Sequence, residues 1–105
     1  MSAKLLQILA FIIEHTENLT QAELENDEIL TDSVMFRLIQ VSENSDKLTE
    51  DFKSLHSNIP WRAMKGMRNR IVHEYGNADL AVIYNTVKTD LPELLRALEE
   101  ITEKL

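Results

Sequence analysis

"PWRAMKGMRNRIVHEYG", residues 60–76, carries its own start and stop signals. Pro60 suits the first turn of a helix, where its missing N–H would have no intrahelical partner. Gly76 stands where a left-handed C-cap residue belongs. Between them Trp61, Met64, Arg68, Ile71 and Tyr75 recur at steps of three and four, the helical period. The spacing predicts a helix over 61–75. Its apolar stripe holds Trp61, Met64, Ile71, Val72 and Tyr75, with Met67 at the border and Arg68 in the middle.

A leucine is expected at position 68. A guanidinium there is costly unless it is paired or stands at the edge of a wet cleft. Two readings follow. Arg68 reaches a buried carboxylate, such as Glu43 on the preceding long helix, and fixes packing; or it lines a cleft and meets an anion. His73 lies about 140° from Arg68 around the helix. Asn69, four residues before His73, shares its side, as do Arg62 and Gly66, with Arg70 at the border. Gly66 costs about 1 kcal/mol relative to alanine in a helix interior. It serves either close helix packing or a dent that admits a partner backbone or a phosphate. His15 and His56, near helix ends, read as ordinary histidines.

Outward from this helix the chain reads as all-α. With two glycines, two prolines and abundant Leu, Glu, Ala and Lys, it is poor in turn formers. The first helix runs from about Ala3 to His15, with Ser2 as candidate N-cap. Its apolar residues cover more than one face, which suggests burial on two sides, in the core and in a subunit interface. Its lysine and apolar run resemble a short signal peptide, but a glutamate and a histidine follow and no small-residue cleavage site appears, so it reads as a core helix. Thr20 and Glu23 form a capping-box pattern before a short turn. A long helix follows from about Asp27 to Leu48, and Thr49 caps a short one carrying Phe52 and Leu55. After the motif helix, Asp79 starts a helix to about Lys88. Asp90, Pro92 and Glu93 mark the start of a separate last helix ending near Lys104. The expected fold is an up-and-down four-helix bundle with one or two short extra helices, in one domain spanning residues 1–105.

The net charge is −7, yet residues 61–75 hold Arg62, Lys65, Arg68 and Arg70 against Glu74 alone. An acidic body repels nucleic acid at long range, and one basic helix attracts it locally. The plainer reading is that these cations pair with acids within a subunit or across a dimer. There is no cysteine, which fits a reducing cytoplasm. No apolar run approaches the ~20 residues a membrane span needs. Zinc-, calcium- and phosphate-loop patterns are missing, and no metal or cofactor is expected.

"GMRNRIVHEY" resembles the signature of the HEPN superfamily and its HepT-like toxins: arginine, four residues, histidine, any residue, tyrosine. Arg68, His73 and Tyr75 match, with the common asparagine at Asn69. The flanks "IPWRAMKGMRN", residues 59–69, and "DLPELLRALEEI", residues 90–101, are also similar to that branch. Glu43 falls where the branch often has a glutamate, while Arg70 replaces a common apolar residue. The resemblance implies a bundle that dimerises and brings two motif helices to a shared cleft. It implies a metal-independent endoribonuclease toxin using Arg68 and His73, encoded beside a minimal nucleotidyltransferase antitoxin that adenylylates Tyr75. The alternative is a non-catalytic helical module in which Arg68 and His73 hold a dimer or bind a nucleotide or protein partner.

Overall fold

The computed structural model describes residues 3–74, 77 and 79–103. Ser2, Tyr75, Gly76 and Lys104, which the sequence reading used as caps, a site residue and a helix end, lie outside the described residues.

Every regular element among the described residues is helical: α1 (Ala3–Thr16), α2 (Gln21–Glu25), α3 (Glu28–Asp46), α4 (Glu50–Leu55), α5 (Trp61–His73), α6 (Leu80–Asn85) and α7 (Leu91–Glu103). Local capping chemistry sets several starts. Thr20 and Glu23 complete a reciprocal capping box at α2. The Glu23 carboxyl is held below the usual carboxylate range, first by the Thr20 backbone N–H and then by the Thr20 side chain. Asp27, Thr49 and Asp79 accept backbone N–H bonds at the starts of α3, α4 and α6.

α3 packs against α1 on one side and α5 on the other, and α1 also packs against α7. Leu5, Leu9 and Ile12 of α1, Val34, Leu38 and Val41 of α3, and Leu94 and Leu98 of α7 join one buried core. Each fully buried leucine contributes about 1.5–3 kcal/mol relative to exposure. The breadth of the apolar surface on α1 is therefore used within the chain. Its two sides meet α3 and α7, and that breadth no longer argues for a subunit interface.

The expected break before a separate last helix is a correction. α6 runs into a π-helical turn, Thr86–Asp90, and then into α7 without interruption. Asp90 lies inside this continuous helix rather than at a start. The reason is Pro92, whose ring crowds the carbonyl four residues back and which has no N–H to donate. The widened turn absorbs that defect: the Leu91 N–H bonds the Thr86 carbonyl, five residues back. Thr86 and Val87 are buried in the same turn. Lys88 reaches the other way, and its ammonium donates to the Thr16 and Glu17 carbonyls at the end of α1, the latter at 2.7 Å. The Tyr84 hydroxyl donates to the Leu19 carbonyl at 2.9 Å. Together they tie the α1–α2 connection to the last helix.

Candidate functional site

α5 is anchored at its start by tryptophan rather than by a side-chain cap. The Trp61 indole N–H is shared between the Lys53 carbonyl at 3.2 Å and the His56 carbonyl at 3.1 Å, so it satisfies the end of α4. Its ring meets Phe52 edge-on at 6.4 Å. Farther along, the Ser45 hydroxyl of α3 approaches the Met64 sulfur at 3.9 Å, and Ile71 is buried. These contacts fix the rotation of the helix and so decide which side chains face water.

The buried arc of α5 is narrower than the sequence stripe. Ile71 is buried, while Trp61, Met64, Met67 and Arg68 are half-buried and Val72 is exposed. Arg68 is thus on the shoulder of the arc rather than sealed in the core. Its Nη1 donates to the Asn69 side-chain oxygen at 3.0 Å. Guanidinium has only donors, so this contact must use the amide oxygen of Asn69. The amide NH2 and the rest of the guanidinium fork remain available to an acceptor.

Glu43 is exposed on α3, and among the described residues it makes no ion pair with Arg68. The carboxylate partner suggested for Arg68 is therefore not engaged. Among the described residues no ion pair involves Arg62, Lys65, Arg68 or Arg70.

Arg62, Lys65, Gly66, Asn69, Arg70 and His73 are all exposed. Helical spacing puts Arg62, Gly66, Asn69 and His73 on one face. A Cβ built on Gly66 would meet nothing within 4 Å, which removes close packing within the chain as its explanation. His15 stacks on Phe11 at 4.0 Å and His56 lies 4.7 Å from Phe52, so both have local structural roles. His73 has no hydrogen bond to any described residue, which leaves it open for proton exchange. No group of three or more metal-binding side chains occurs among the described residues. Among the described residues no helix is long and apolar enough to cross a membrane.

The main concavity lies on the opposite shoulder of α5. A groove of about 910 Å³ separates α5 from the last helix, floored by Leu38, Val41, Met64 and Leu94. Arg70 lines it and, among the described residues, is the one candidate that belongs to both the groove and the cationic helix. The sequence held no sign of this groove, because it depends on the spacing between α5 and α7.

The family model for "Ribonuclease HepT-like" proteins matches residues 5–101. A Thermococcus cleftensis protein with the provisional name ribonuclease HepT is 34% identical, over 91% of this chain and 91% of its own. A Caldanaerobacter subterraneus subsp. tengcongensis protein provisionally named an RNase is 30% identical, over 95% and 89%. A third, from Methanocaldococcus jannaschii and named in the same way, is 30% identical over 84% and 81%. No solved structure matches the chain at a significant level.

Proposed function

Because the chain belongs to the HepT-like ribonuclease family, we propose that it is a metal-independent endoribonuclease, the toxin of a HepT-like toxin–antitoxin pair, acting in the cytoplasm as a two-fold dimer. The observation that carries this reading is the face of α5. Three cations without carboxylate partners among the described residues, Arg62, Lys65 and Arg70, accompany an unengaged histidine and the Arg68–Asn69 pair, whose arginine likewise has no such partner.

The chemistry follows from those groups. A base takes the proton of a ribose 2′-hydroxyl, and the oxygen attacks the adjacent phosphorus. The bond from phosphorus to the 5′-oxygen breaks, and an acid gives that oxygen a proton. The products are a 2′,3′-cyclic phosphate and a 5′-hydroxyl. Imidazole serves either proton step. Arg68 faces the charge that builds on the phosphorane, with Asn69 holding the guanidinium and offering its own NH2. Arg70 adds positive potential along the groove edge, and Glu43 stands on α3 as a supporting group. One chain has one motif histidine, so a second copy supplies the other proton carrier at a shared cleft.

The test is purified protein with total RNA in excess EDTA. Cleavage should persist, with 2′,3′-cyclic phosphate at the new ends. RNA left intact under EDTA and with Mg²⁺ present would sink the enzyme reading and leave the fold as a binding module.

Regulation belongs to the same proposal. A minimal nucleotidyltransferase antitoxin transfers AMP from ATP to the Tyr75 hydroxyl, pyrophosphate leaving, and the added phosphate occupies the anion site near Arg68. Co-expression with such an enzyme should add AMP mass to the Tyr75 peptide and silence cleavage. An unmodified Tyr75 beside an active transferase, or AMP on Tyr84, would overturn it.

A further inference from the structure

Gly66 is an exposed helix-interior residue that the fold of this chain does not require. Its φ is not positive, so the backbone there suits any residue. A Cβ at this position would meet nothing within 4 Å. Alanine would fit and would favour the helix. A glycine that lowers helix stability without a conformational or packing reason points to something outside the chain.

What surrounds it names the chemistry. Arg62 and Arg70 stand four residues before and after it, Asn69 three after and His73 seven after, all exposed. Residues at these spacings are neighbours on a helix surface. The helix is therefore lowered at one point between two arginines that pair with no carboxylate among the described residues, with a hydrogen-bonding amide and a proton carrier alongside. That is a saddle with cations at both ends. A second copy of α5 laid into it would set like charges against each other. A chain of phosphodiesters would complement it. The gap is that of one missing side chain, so one strand's backbone crosses the helix there.

We propose that Gly66 is the crossing point of the RNA, where one single strand lies against the α5 backbone so that the scissile phosphate sits beside His73, within reach of the Arg68 guanidinium that Asn69 holds at the edge of this face. This rests on the ribonuclease reading and deepens it: the substrate is single-stranded, and the residue that admits it is the one without a side chain.

The experiment compares Gly66→Ala and Gly66→Gln with the unaltered protein in three measurements: cleavage of a labelled single-stranded oligoribonucleotide, melting temperature, and mass by light scattering. Both variants should melt at or above the unaltered protein. Gly66→Gln should lower kcat/KM by about a hundredfold, as a shift of about 1 Å in a reacting group can, with Gly66→Ala in between. Full activity in both variants overturns the saddle while the ribonuclease reading stands. An unaltered protein that does not cut RNA overturns both. Lost activity with a lower melting temperature makes the glycine a requirement of the fold, and lost activity with a changed mass assigns the saddle to a second copy; either result overturns the proposal.

Discussion

Replacing Arg68 by alanine should lower RNA cleavage by about 10²–10³-fold, the usual loss when one donor to a developing oxyanion is removed. Stability should move by no more than about 1 kcal/mol. The two halves of this expectation come from different observations. Arg68 is half-buried, and the hydrogen bond its side chain makes is to Asn69, next to it in the chain. No carboxylate is stranded by its removal, since among the described residues none pairs with it. What is lost is the packing of its apolar stem and a bond whose other partner is already exposed to water. Had Arg68 been sealed against a buried acid, its removal would cost ~3–5 kcal/mol. Urea unfolding and single-turnover cleavage on the same preparation separate the two cases. A large drop in stability with cleavage falling only in proportion would make Arg68 a packing residue. Arg68→Lys refines the result. It keeps the charge but not the planar fork, so activity should recover only in part if phosphate is held by paired donors.

The fate of Arg68 also shows where sequence reading succeeds. The period of residues 61–75 located α5 and its buried side, because the core selects Met64 and Ile71 at helical spacing. Caps at Thr20, Thr49 and Asp79 were legible because each is settled within four residues. The exposure of Arg68 was not legible. It depends on how far α5 is rotated against α3, and that is set by the Trp61 anchor at the end of α4. Asp90 and Pro92 misled for a related reason. Locally they look like a helix start, but the buried Thr86 and Val87 and the reach of Lys88 to α1 hold the chain in a widened turn instead. Propensity and caps are short-range signals, and both the choice between the two readings of Arg68 and the missed continuity at Asp90 were decided by contacts beyond their reach. The candidate site residues were proposed from the family resemblance and the local excess of positive charge. That they pair with no carboxylate among the described residues could come only from the fold.

His73→Ala should produce the larger effect, and a mixed dimer makes it decisive. His73 is exposed and bonds to no described residue, so the variant should unfold within about 0.5 kcal/mol of the unaltered protein. Losing a positioned proton carrier lowers the rate by about 10²–10⁴-fold. In a dimer that carries the change in both chains, base and acid are lost together and cleavage should fall to background. Now let one chain keep His73 and the other carry alanine, purified through two different tags. If each chain cuts RNA alone, the mixed dimer keeps half of the activity. If the base comes from one copy and the acid from the other, the remaining histidine has no counterpart, and the mixed dimer should lose at least about 10²-fold. A single chain supplies one histidine to its α5 face, and the 2′-hydroxyl and the 5′-oxygen lie on opposite sides of the phosphorus in line for displacement. One imidazole cannot be in contact with both at once. On the proposed mechanism the second proton carrier comes from the other copy, across a shared cleft. Half activity in the mixed dimer, or a stable monomer by light scattering that still cuts RNA, would show that another group of the same chain carries the second proton.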